Sequence, residues 1–158
     1  MEEIDRGDDS YLLATIQETL RRRPVLPNVE PRLVKRPIEV GGWTYPTGVC
    51  LVPNAYLVHH DPGIYPDPYE FRPERFLDEP PGTYTWIPFG GGRRRCVGAS
   101  FAMLEMQIVM RAVVARPELQ PSADGHERAR RRNITIRPGR GARVMLRDRR
   151  RVPVPVGS

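Results

Sequence analysis

Apolar positions fall into helical spacing twice along this chain, and these two runs frame the rest. The first carries Leu12, Leu13, Ile16 and Leu20 at short helical steps, which predicts a helix with one apolar face. Asp8, Asp9 and Ser10 offer side-chain oxygens to cap its start, and Pro24 lies beyond its end, so the helix is expected to run through Arg23. The second run begins after Gly98 and reaches about Ala115, with Phe101, Leu104, Ile108 and Ala112 on one stripe and Ala102, Met106, Val109 and Val113 widening it. So broad a stripe implies burial on more than one side, and Pro117 stops the helix.

Between the helices the pattern changes to that of strands. From 31 to 58 the chain is β-like: Ile38-Glu39-Val40 and Trp43-Thr44-Tyr45 flank Gly41-Gly42, a two-residue hairpin signal, and 49–52 reads as a further strand. Cys50, inside that apolar run, is expected in the core. The stretch 61–88 has neither period and carries seven prolines, and a loop of that length is either disordered or functional. After Pro117 a polar connection at 122–132 leads to a second expected hairpin, 134–136 against 142–146 around Pro138-Gly139-Arg140-Gly141, and the tail from 152 is expected to be loose.

Composition narrows the class. The chain of 158 residues is 39% hydrophobic, enough for one modest domain, while eighteen prolines and fourteen glycines signal much irregular chain. Its charge of +6 comes from arginine and suits phosphates or an acidic protein surface. No apolar run is long enough to span a membrane, and the acidic start Met1-Glu2-Glu3-Ile4-Asp5 is unlike a signal peptide, so a soluble cytoplasmic protein is expected. The adjacent His59 and His60 suggest no metal spacing and read as surface or core positions. The basic runs 128–132 and 147–151 lack aromatic interleaving, so they are read as solvated edges, with no nucleic acid as partner.

The chemistry concentrates in Phe89-Gly90-Gly91-Gly92-Arg93-Arg94-Arg95-Cys96-Val97-Gly98. Three arginines and the start of a helix beside one sulfur favour its thiolate, a soft ligand for iron or another thiophilic metal. Gly90, Gly91 and Gly92 are expected to take positive φ, while Gly98 lets the next helix approach. This spacing, Phe-x-x-Gly-x-Arg-x-Cys-x-Gly, resembles the haem-binding loop of the cytochrome P450 family. Glu18-x-x-Arg21 and Pro73-Glu74-Arg75-Phe76 match two further motifs of that family, in its order, and the resemblance extends from about Tyr11 to Leu146.

The resemblance implies an α+β chain forming the C-terminal part of a mostly α fold, a single partial domain over 1–158 built from two main helices, small hairpins, a long irregular meander and the cysteine loop. It implies haem b (iron protoporphyrin IX) bound through the Cys96 thiolate, with Phe89, Gly92 and Gly98 shaping the loop and Arg94, and less directly Arg32, on propionates. Glu18, Arg21 and Arg75 would form a buried structural triad, where a bare i,i+3 pair would be a weak surface contact. The meander would be ordered, with Tyr65, Phe71, Phe76 and Trp86 as packing anchors, although Tyr84 and Trp86 also suit an interaction surface.

The implied activity is a monooxygenase acting on a small organic substrate, with electrons from an acidic protein such as a ferredoxin docking near Arg93 and Arg95. The family's N-terminal helical portion, with its distal Gly-x-x-Thr segment, is missing from this sequence, so no residue here is assigned a catalytic role. Two readings stand: a haem-binding portion completed by a chain supplying the N-terminal part, or an inactive remnant that binds haem or a partner.

Overall fold

The computed structural model describes residues 6–115, 117–122 and 127–148. Helix α1 (Arg6–Arg22) starts earlier than the expected caps, so Asp8, Asp9 and Ser10 lie inside its first turns. It ends one residue short of Arg23, whose amide still donates to the Thr19 carbonyl before Pro24 breaks the series. Ala14, Ile16 and Leu20 are its buried apolar residues, with Leu12 and Leu13 only partly covered.

Strand β1 (Arg32–Leu33) pairs antiparallel with β4 (Cys50–Leu51), and between them β2 (Ile38–Val40) and β3 (Trp43–Tyr45) form the expected hairpin. Its turn places Gly41 at φ +60° and Gly42 at φ +79°, the left-handed pair that such a turn requires. Cys50 corrects an expectation: it is exposed, because no second layer covers the β1–β4 ribbon among the described residues.

The β-like reading of 31–58 also missed a helix. Residues Ala55–His59 form α2, capped by the Asn54 side chain, which accepts from the Leu57 amide at 2.8 Å. One turn of helix is too short to display a period, and its Tyr, Leu and Val side chains equally suit a strand. Within the long irregular stretch, α3 (Arg75–Asp78) is a single turn. Tyr65 is buried and Phe76 and Trp86 half-buried, as packing anchors should be, but Phe71 is exposed.

A short 3₁₀ turn (Gly92–Arg94) precedes α4 (Ala99–Ala115), whose limits agree with the sequence pattern. Its broad apolar stripe is not covered on several sides: Ala99 alone is fully buried, and Phe101, Leu104 and Ile108 are exposed. Helix α1 packs against α2, α3 and α4 and is the hub of the small core, which adds Val34, Ala55, Tyr65 and Ala99 to its own residues.

The second expected hairpin pairs differently. Strand β6 (Ala129–Arg132) turns directly into β7 (Thr135–Pro138) through Asn133 at φ +54°, while β8 (Val144–Asp148) returns to β5 (Pro117–Pro121). The Pro138–Gly141 segment therefore joins two ribbons instead of closing one. Side chains of β6 are exposed throughout, in keeping with a solvated basic edge; residues 149–158, with the end of the second basic run, lie outside the described residues.

Candidate functional site

The cysteine loop is held by its own main chain. The Gly90 amide donates to the Ile87 carbonyl at 3.0 Å, the Cys96 amide to the Phe89 carbonyl at 2.9 Å, and the Ala99 amide to the Cys96 carbonyl at 3.3 Å. Gly90 (φ +71°) and Gly92 (φ +64°) supply the left-handed positions these bonds need. Gly91 corrects the expectation for all three glycines, since its φ of −152° is extended backbone. A Cβ at Gly98 would lie 3.8 Å from the Cys96 sulfur, in ordinary contact.

Cys96 opens onto a cavity of about 770 Å³, bounded by Phe89, Gly90 and Arg94 from its own loop and by Leu26, Val29, Ile134 and Ile136 from other parts of the chain. A Cβ on Gly90 would stand 3.4 Å from the Val29 side chain, so the glycine keeps this wall thin. Glu30, also on the wall, stands between two arginines, 3.8 Å from Arg94 and 3.6 Å from Arg32 on β1. A soft sulfur donor, mostly apolar walls and guanidiniums at the rim suit a flat, largely apolar cofactor with anionic edges. Sequence reasoning missed Glu30 because an acidic residue two positions before Arg32 carries no signature.

On the far side of the loop, Glu18 and Arg21 lie together at 0% exposure. Arg21 donates through Nε (2.7 Å) and Nη2 (2.8 Å) to the two carboxylate oxygens of Glu18, a fork-on-fork pair. Its remaining hydrogens reach the carbonyls of His59 (2.5 Å), Pro68 (2.9 Å) and Glu70 (3.3 Å). Arg75 Nε lies 3.3 Å from Glu18 Oε2, close enough for an ion pair but outside hydrogen-bond geometry, and its buried Nη2 has no hydrogen-bond partner. Burial pushes the Arg75 pKa down while Glu18 opposes that shift. The three predicted triad residues are thus together, and the pair has become an anchor for the meander instead of a surface contact.

Several links join this anchor to the loop. Trp86 Nε1 donates to the Gln17 carbonyl of α1 at 3.0 Å, and the Tyr65 hydroxyl donates to the Thr85 carbonyl at 3.1 Å. Tyr65, Phe76, Trp86 and Phe89 follow one another edge-on with ring centroids 6.4, 6.5 and 6.1 Å apart. His59 is fully buried and also lies on this route. Burial lowers its pKa to about 4, with the charges of Arg21 and His60 adding to the effect and its bond to the Arg21 carbonyl opposing it. The sequence offered no metal spacing for His59, and only its main-chain partners mark it as more than a core residue.

Solved structures similar to this chain define its class. Retinoic acid-bound cyanobacterial CYP120A1 superimposes with a TM-score of 0.78 at 29% identity, covering 87% of this chain and 33% of that one. A zebrafish cytochrome P450 solved with abiraterone gives 0.78 and 29%, covering 92% and 34%. The mycobacterial "Putative cytochrome P450 135B1" of Mycobacterium tuberculosis is 43% identical over 148 residues, 94% of this chain and 31% of that protein. Fold and cysteine loop thus place the chain among haem-thiolate proteins. The sequence model described as Cytochrome P450 matches residues 2–142, and the chain belongs to the cytochrome P450 family. That family's cofactor is haem b held through a cysteine thiolate. The chain spans about a third of the length of the relatives it matches.

Proposed function

We propose that this chain carries the thiolate-bearing part of a haem monooxygenase, which oxidises a small organic substrate with dioxygen and electrons from a partner protein. The observation that supports it most is the Cys96 sulfur on the wall of an apolar cavity that also presents Arg94. Haem held there through a thiolate would supply the dioxygen-activating chemistry. Cys96 would be that ligand, Phe89 would shield its sulfur from water, and Gly92 and Gly98 would let the loop and α4 approach the ring plane. Arg94 and Arg32 would bind the two propionates in place of Glu30, whose carboxylate they share here. Glu18, Arg21 and Arg75 hold the scaffold and touch no reacting atom.

Arg93 and Arg95 are exposed, and Arg95 borders a shallow recess with Pro81, Gly82 and Trp86. This basic surface suits an acidic electron carrier such as a ferredoxin. Residues that would face the substrate lie mostly in the part of the fold that this chain does not span. We read the exposed stripe of α4 as the seat of that remainder, on the same chain or on a second one. The free thiols of Cys50 and Cys96 agree with a cytoplasmic protein. Among the described residues no helix is long and apolar enough to cross a membrane.

The test is the absorption spectrum of the chain with added haem, reduced and exposed to carbon monoxide, beside Cys96→Ser. A strongly red-shifted Soret band lost in the variant is expected. The same band in both proteins, or in neither, removes the assignment of Cys96 and favours an inactive remnant.

A further inference from the structure

His59 is the last residue of α2, and both of its ring nitrogens meet main-chain groups. Its Nδ1 lies 3.1 Å from the Arg21 carbonyl oxygen, and its Nε2 lies 2.9 Å from the Ile87 amide nitrogen. Neither partner can change role, because a carbonyl only accepts and a peptide N–H only donates. The tautomer is therefore determined: Nδ1 carries the proton and gives it to Arg21, while bare Nε2 receives the Ile87 N–H. Arg21 returns a bond from Nη1 to the His59 carbonyl at 2.5 Å, so each side chain holds the other residue's main chain.

Ile87 is where the cysteine loop begins. Its carbonyl receives the Gly90 amide, and the Phe89 carbonyl, two residues on, receives the Cys96 amide. One imidazole thus links the main chain of Arg21, the residue whose side chain pairs with Glu18, to the peptide that starts the turn around the sulfur. Trp86 and Tyr65 secure the residues before Ile87 but leave its N–H untouched.

We propose that His59 is a positioning residue for Cys96, tying the first peptide of the cysteine loop to the buried Glu18–Arg21 pair and so setting where the sulfur stands. The inference deepens the haem-thiolate reading and rests on it for the purpose of that placement. The geometric part stands on the chain's own bonds.

Three measurements on the full chain test it. In the native protein, nitrogen NMR should find Nδ1 protonated and Nε2 bare; the opposite tautomer has no acceptor for Ile87 and overturns the proposal. Amide hydrogen exchange should then separate loop from core. In His59→Phe the Ile87 and Cys96 amides should exchange about tenfold faster relative to the Leu20 amide of α1, as expected when one buried hydrogen bond is lost. Ile16→Ala, a buried α1 truncation that leaves both His59 partners bonded, should move all three amides together, and His59→Gln, which keeps one donor and one acceptor, should restore the native ratio. A His59→Phe protein whose three amides move together overturns the proposal.

With haem and carbon monoxide, the red-shifted fraction should fall in His59→Phe and return in His59→Gln. An unchanged fraction overturns the link to the sulfur. Absence of the band from the native chain, with the exchange pattern as expected, would sink the haem-thiolate reading and leave the strut standing.

Discussion

Replacing Arg21 with methionine tests the anchor most directly. The side chain is 0% exposed and spends its donors on both oxygens of Glu18 and on the carbonyls of His59, Pro68 and Glu70. Methionine fills much of the volume but leaves the buried Glu18 carboxylate with only the Arg72 amide at 3.0 Å and Arg75 Nε at 3.3 Å. Removing one partner of such a pair costs about 3–5 kcal/mol, because the other charge stays desolvated. For a chain of this size that corresponds to a melting point lower by roughly 10–15 °C. The exposed pair Arg111–Asp9, with N···O at 2.9 Å, is the comparator, since it has similar length but open surroundings. Arg111→Met should cost no more than about 1 kcal/mol. Thermal unfolding followed by circular dichroism measures both. Glu18→Gln combined with Arg21→Met should cost less than the two single changes added together, because no orphaned charge remains. If Arg21→Met and Arg111→Met melt within about 2 °C of each other, burial does not give the first pair its weight and the reasoning fails.

Two further predictions follow from side chains whose surroundings are unusual. His59 titrates at about 4 in the folded chain against an ordinary 6.5, so between those values the unfolded chain binds the proton first. Stability is therefore full above 6.5 and declines as the pH falls toward 4, by up to about 3 kcal/mol. Urea unfolding of native and His59→Gln proteins across that window should show this component missing from the variant; parallel pH profiles would contradict the assignment. On α4, Phe101→Glu with Leu104→Lys changes side chains that are 70% and 55% exposed. The double variant should suppress self-association of the chain by light scattering while costing less than about 1 kcal/mol of stability, and a loss of helix by circular dichroism would show that the stripe is already packed.

The elements that were legible share one property: their determinants are close together in sequence. The end of α4 is set by Pro117, the β2–β3 hairpin by Gly41-Gly42, and the turn of the cysteine loop by Gly90 and Gly92. Hidden elements depended on distant partners. The segments 134–136 and 142–146 were recognisable as strand-forming, but not that β7 and β8 would each pair with an earlier segment, β6 or β5, instead of with the other. Cys50 was misplaced because an apolar neighbourhood in sequence does not guarantee a covering layer in space. Helix α2 escaped because a single turn has no period, only an Asn54 cap.

By itself the sequence determined where the cysteine loop can turn, since Gly90 and Gly92 accept the left-handed backbone found there. It also determined that Glu18 and Arg21 share a helix face, since an i,i+3 spacing does so on any helix. Tertiary structure decided what those facts were worth. Folding the meander over α1 took Glu18 and Arg21 out of water into an interior where their attraction is less screened and breaking it leaves a bare charge. The same folding brought the His59 imidazole between the carbonyl of Arg21 and the amide of Ile87, main-chain groups far apart along the chain. Neither contact has a local signature, because any residue carries a carbonyl and nearly any carries an amide, and only their positions in space made this histidine the link between them.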